Sequence, residues 1–131
     1  MSPAEVIKLW KSIEQEKQFK DALKESGFRY IGSGLESVVY AKPRSEFVVK
    51  VCDGRIATHK LKDPQLEKYR LGYIFTNRRK SVGIQMRVNR SNRYRAWAQI
   101  RDSVNTDLSE FDIHQQNVGW YKGKPVIIDY V

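Results

Sequence analysis

Near its C-terminal end the chain carries three side chains whose types and spacing suit one chemistry. Asp112 stands five residues before Asn117, and Asp129 follows twelve residues after Asn117, closing the β-branched run Val126-Ile127-Ile128. A carboxylate to orient an attacking hydroxyl, and an amide oxygen with a second carboxylate to hold a divalent cation, are what phosphoryl transfer asks of that part of a site. The matching groups lie upstream. In Gly32-Ser33-Gly34-Leu35-Glu36-Ser37-Val38-Val39-Tyr40, two glycines can adopt positive φ and let backbone N–H groups approach phosphates closely. Lys50 sits in the otherwise apolar run Phe47-Val48-Val49-Lys50-Val51, and its ammonium suits the α and β phosphates of a nucleotide. The expected nucleotide contacts are therefore Gly32, Ser33, Gly34, Ser37 and Lys50. The expected catalytic residues are Asp112 and Lys50, and the expected metal ligands Asn117 and Asp129. Each group alone also has an ordinary structural reading: a turn, a loop, a strand-end cap, or a lysine on the wet face of a strand. Their occurrence together, in order, is what favours the chemical one.

The elements that must position these groups follow from periodicity. Residues 3–24 place Val6, Ile7, Leu9, Trp10, Ile13, Phe19 and Leu23 in one stripe, which predicts a helix capped by Ser2, with Pro3 in its first turn and Gly27 beyond its end. From Phe28 the period becomes that of a strand. Runs at 28–31, 37–41 and 47–51 predict a three-strand antiparallel meander, and runs at 73–75 and 82–88 predict a hairpin that completes a five-stranded sheet. A short helix is expected over 56–62, stopped by Asp63-Pro64, with Glu67 in a loop. Residues 92–104 return to helical spacing, and Tyr121-Lys122-Gly123-Lys124 predicts a hairpin turn into a short final strand.

The 131 residues are expected to form one α+β domain, with an N-terminal helix over 1–27, the sheet over 28–88 and a reduced helical part over 89–131. Hydrophobic residues at 40% and charged residues at 30% fit a globular chain. No apolar run reaches the roughly 20 residues a bilayer span needs, and the N-terminus lacks signal-peptide order, so no membrane partner and a cytoplasmic location are expected. The lone Cys52 reads as a small core hydrophobe. The net charge of +9 is concentrated in the arginines between Arg70 and Arg101, which favours an anionic partner: a nucleotide, an acidic protein surface or nucleic acid.

In these motifs the chain resembles the protein-kinase-like superfamily, including its aminoglycoside and small-molecule phosphotransferase branch. Asp112-Ile113-His114-Gln115-Gln116-Asn117 is similar to the Asp-x-His-x-x-Asn form of that branch. The resemblance covers roughly residues 28–131 and extends to compact kinase-like proteins encoded by bacteriophages. It implies a kinase-like N-lobe and a truncated C-lobe of one helix, a catalytic-loop-like segment and a short final strand. It also implies ATP and Mg²⁺ as cofactors, and host cytoplasm as the location if the source is viral. His114 is expected to pack the loop and bond a backbone carbonyl. Ser37 stands where a third glycine would be, and Asp129-Tyr130-Val131 lacks the glycine that follows in protein kinases. With no glutamate on a long helix after Lys50, Glu14 or Glu16 of the N-terminal helix is a candidate partner for the lysine.

Three functions compete at this stage. The first is a minimal ATP- and Mg²⁺-dependent phosphotransferase acting on an acceptor such as a host protein, with nucleotide between the 32–37 turn and the 112–117 loop. The second is an inactive kinase-like binding or inhibitory module that engages an acidic host protein. The third, ranked last, is a nucleic-acid-binding protein using the arginine-rich segment with Tyr94, Trp97, Trp120 and Tyr121 as stacking candidates.

Overall fold

The computed structural model describes residues 1–33 and 37–129. The chain divides into two compact units: Met1–Ile56 with Tyr73–Arg87, and Ala57–Gly72 with Val88–Val131. Residues 57–72 thus interrupt the first unit in sequence and belong to the second.

The first unit is the expected α+β arrangement, with one change at its start. The stripe read as a single helix is two helices, α1 (Pro3–Ile13) and α2 (Glu16–Glu25), broken at Glu14, which takes a left-handed φ of 50° and sends its N–H to Trp10 O. Ser2 and Glu5 form the capping box that starts α1. Side-chain packing gives the reason for the break. On one continuous helix Trp10 and Phe19 would stand about 13 Å apart along the axis and half a turn out of phase. The break lets their rings meet edge to face at 5.3 Å. Both join Val6 and Leu23 in a core against Val49, Val51, Val82 and Ile84 of the sheet.

The sheet consists of β1 (Arg29–Ser33), β2 (Ser37–Ala41), β3 (Phe47–Cys52), β4 (Tyr73–Thr76) and β5 (Val82–Met86), all antiparallel, in the order β1-β2-β3-β5-β4. The meander and the second hairpin both form as their alternation predicts. Every residue of the central β3 is buried. Both edge strands carry an irregularity: between Tyr30 and Gly32 in β1, and between Tyr73 and Phe75 in β4. The β4–β5 turn is held by Asn77, whose Oδ1 accepts from the N–H groups of Ser81 and Val82. Ser81 Oγ in turn donates to Glu16 Oε1 at 2.8 Å, which fastens the start of α2 to this turn.

In the second unit, helix α4 (Arg93–Ser103) packs across a hairpin of β6 (Val118–Tyr121) and β7 (Lys124–Ile127). Lys122 and Gly123 both have positive φ, 51° and 78°, the backbone that a two-residue hairpin turn requires. Residues 69–71 run along β7, with Leu71 N donating to Ile127 O and Ile127 N to Tyr69 O, and Asn89 bridges Trp120 on the other side. Ala96, Ile100, Leu108, Ile113, Val118 and Ile127 form the core with Leu66. The helix expected over 56–62 is absent. The short helix α3 (Pro64–Glu67) instead begins where the earlier one was expected to stop. Asp63 is its N-cap, accepting from Gln65 N and from Thr106 Oγ1, and Pro64 occupies the first helical position, where its missing N–H costs nothing. Glu67 therefore lies on a helix, where it pairs with Arg70. Among the described residues no helix is long and apolar enough to cross a membrane.

The bond from Ser81, with help from the Arg79 charge, holds the Glu16 carboxyl below its ordinary value of 4.5. A depressed carboxyl contributes stability above its unfolded-state pKa and loses it as pH falls through the folded one. Thermal midpoints followed from about pH 6 down to about pH 3 are therefore expected to fall further for the native chain than for Ser81→Ala. Parallel curves would show that this bond does not hold α2 in place.

Candidate functional site

Lys50 is the one charged residue of β3 and is only 4% exposed. A buried ammonium needs partners, and its Nζ donates to Tyr73 Oη at 3.1 Å while lying 5.3 Å from the centroid of that ring. The register explains how Tyr73 reaches it. Gly83 of β5 pairs directly with Lys50, and a Cβ at Gly83 would stand 2.9 Å from the Tyr73 ring and 2.7 Å from Ile56 Cδ1. The bare glycine gives the ring its room. Neither Tyr73 nor Gly83 was singled out in the sequence, because each reads there only as a strand residue and the pairing spans two hairpins. Glu16, one of the two glutamates considered for the lysine, accepts from Ser81 and lies 3.9 Å from Arg79. Glu14 forms the break between the helices.

The glycine-rich segment is described in part. Gly32 lies in extended β1 at the irregularity, without the positive φ expected for it, and a Cβ there would meet nothing within 4 Å. Space is thus open on the side of Gly32 where a side chain would stand. Ser33 Oγ accepts from Tyr30 Oη, and Ser37 opens β2 opposite Cys52. Gly34 lies outside the described residues. Cys52 is buried, in keeping with a core role.

Asp112, Asn117 and Asp129 all belong to the second unit. Asp112 is exposed and ends a 3₁₀ turn (Leu108–Phe111) in a left-handed conformation, φ 54°, with its N–H bonded to Ser109 O. Aspartate tolerates this region better than most residues. A second 3₁₀ turn (Gln115–Asn117) follows. Its cap is reciprocal: His114 N donates to Asn117 Oδ1 at 3.1 Å, and His114 Nδ1 accepts from Gln116 N at 3.3 Å. His114 therefore does hold the loop, through a backbone N–H rather than the carbonyl expected.

The β6–β7 hairpin returns the chain to Asn117. Asn117 O accepts from Ile128 N at 2.7 Å and from Asp129 N at 3.4 Å, so two residues twelve apart in sequence are adjacent in space. Arg90 is a further member that no motif marked. Its Nη2 donates to Gln116 O at 2.7 Å, and partial desolvation, followed by the Arg93 charge, lowers its affinity for a proton while the nearby Asp129 opposes both.

As ligands, Asn117 Oδ1 has a second lone pair beyond the one His114 N uses, and Asp129 supplies a carboxylate. Two such donors fit Mg²⁺, which is usually held by one or two carboxylates together with substrate phosphates and water. Among the described residues no group of three or more His, Cys, Asp or Glu could hold a metal ion. No protein-family model, curated protein or solved structure matches the chain.

Gly83→Ala is expected to displace the Tyr73 ring and cost about 1–3 kcal/mol of unfolding free energy in urea titration. An unchanged midpoint would mean that Tyr73 is not wedged against Gly83 and has freedom to move away from Lys50.

Proposed function

We propose that this chain is a minimal kinase-like protein that binds a magnesium nucleotide and transfers its terminal phosphoryl group to an acceptor, for which a protein hydroxyl is the candidate. The observation that carries the reading is the pair of backbone bonds from Ile128 and Asp129 to Asn117 O, since they bring side by side the two residues whose amide and carboxylate such a site needs for its cation. Support also comes from the presentation of a buried lysine on β3, next to the β1–β2 hairpin that contains the glycine-rich segment.

In this reading Lys50 contributes its ammonium to the phosphates, and the backbone at Gly32, with Ser33, Gly34 and Ser37, contributes N–H groups and hydroxyls. Asp112 orients the acceptor hydroxyl and accepts its proton as the new P–O bond forms. Asn117 and Asp129 hold the cation, and bound magnesium would supply neutralisation of phosphate charge. His114 and Arg90 act one step removed, by holding the loop through Gln116 and Asn117. A second reading, an inactive kinase-like module that engages an acidic protein, is favoured by one observation: the Arg90 guanidinium, bonded to Gln116 O, lies near enough to Asp129 to be influenced by its charge.

Calorimetric titration of ATP with and without Mg²⁺, followed by radiolabel transfer to protein acceptors, separates the two readings. Saturable magnesium-dependent binding and transfer are expected, and absence of binding at millimolar nucleotide would leave the binding module. Asp129→Asn keeps shape and removes charge, so it is expected to abolish the magnesium dependence with the thermal midpoint nearly unchanged. A lowered midpoint with unaltered nucleotide response would make Asp129 a structural cap. Lys50→Ala should weaken nucleotide affinity by roughly 1.5–3 kcal/mol, the worth of one charge-assisted contact. Equal affinities for the native chain and this variant would remove Lys50 from the site.

A further inference from the structure

A second place in the molecule has the chemistry of a binding site and no part in the reading above. Within the second unit, the first two turns of α4 and the β6–β7 turn border an open, solvent-facing cavity of about 340 Å³ lined by Asn92, Arg95, Gln99, Trp120 and Gly123. That volume falls in the range of small-ligand pockets. Asn92, Arg95 and Gln99 recur at helical spacing, so one stripe of α4 faces the cavity with a guanidinium and two amides. The Arg95 and Gln99 side chains are exposed and have no hydrogen-bond or ion-pair partner among the described residues. Trp120 is held in place: its Nε1 donates to Asn92 O at 3.3 Å while part of the indole lines the cavity.

The cavity lining carries the Arg95 guanidinium and no acid. Between Asn89 and Arg101 there are four arginines and no acid, and between Val118 and Ile128 there are two lysines and no acid. Lys122 and Lys124 flank the lining residue Gly123 in sequence, and the Lys122 Nζ lies 5.3 Å from the centroid of the Tyr121 ring. The other aromatic stripe of α4 is already satisfied. Trp97 Nε1 donates to Ile113 O, its ring lies 4.9 Å beneath the Arg101 guanidinium, and Arg101 pairs with Asp102. Of the aromatics in this segment, Trp120 is the one that lines the cavity.

We propose that this cavity binds single-stranded nucleic acid, taking one base against Trp120 and its flanking phosphates on Arg95, Lys122 and Lys124. An aromatic plate serves any base, paired amides match the donors and acceptors of a base edge, and fixed cations serve the backbone. An acidic peptide would use the cations and leave the amides and the indole without a partner, which is why nucleic acid is the ligand chosen.

The test measures fluorescence anisotropy of labelled strands of about 16 nucleotides, oligothymidine and oligouridine, at low and moderate salt. Saturable binding of either supports the site. Arg95→Glu and Arg101→Glu change the charge equally, but only the first touches the cavity. Arg95→Glu is expected to weaken binding by about tenfold or more, Gln99→Ala by about threefold, and Arg101→Glu by less than Gln99→Ala. An abasic strand of equal charge is expected to bind about tenfold more weakly than oligothymidine. Equal losses from the two arginine variants, equal affinity for the abasic strand, competition by polyglutamate as effective as by oligothymidine, or no binding at low salt would each overturn the proposal. Circular dichroism spectra matching the native chain establish that these exposed variants are folded.

Discussion

A strand buried along its whole length cannot carry a charge without a partner, and β3 carries Lys50. That constraint shapes the first unit. Isolated burial of an ammonium would cost far more than a domain of this size has to spare. The phenol of Tyr73 must therefore reach across from β4, and it can do so only because β5 presents a glycine where the two strands flanking it require space. The apolar side of the same strand imposes the complementary demand. Val49 and Val51 need cover, and the broken helix pair supplies it through Trp10 and Phe19. One six-residue strand thus sets requirements on two helices, on the adjacent β5 and on β4 beyond it.

The second unit rests on a different device. Its hairpin is short, and two strands alone are marginal in water. Residues 69–71 and Asn89 extend it on either side by backbone bonds, and α4 covers it. The segment leading into the hairpin and the segment leaving it meet at the carbonyl of Asn117. Asn117 and Asp129 are thereby held side by side through main-chain bonds.

Much of this was legible in the sequence, for physical reasons that differ by element. The strands announced themselves because β-branched and aromatic residues alternate between clear turn signals, and α4 because Tyr94, Trp97, Ile100 and Val104 keep helical spacing. The break at Glu14 was legible only in the half-turn phase difference between Trp10 and Phe19, which nothing in the sequence ties to that residue. Glutamate is a good helix former, and the left-handed turn there exists because two rings nine residues apart gain more from meeting than one helix loses by stopping. Asp63-Pro64 was misread because the same dipeptide can end one helix or begin another, and the choice is made by Thr106 and Gln65 bonding to the aspartate. Of the candidate site, the residue types were visible, but Tyr73, Gly83 and Arg90 were not, since their roles come from pairings across more than twenty residues.

The two irregular edge strands have a further consequence. In β1 the residue passed over by the pairing is Ile31, and in β4 it is Ile74; these are exposed by 46% and 48%. An exposed isoleucine on a straight edge would invite another chain to add itself as a sixth strand. Here each isoleucine sits where the ladder skips, and a bulge bends and twists its strand away from the flat geometry that such addition needs. The sheet is in effect closed at both borders by the same local defect, so the surface that would otherwise nucleate aggregation is spoiled where it is most apolar.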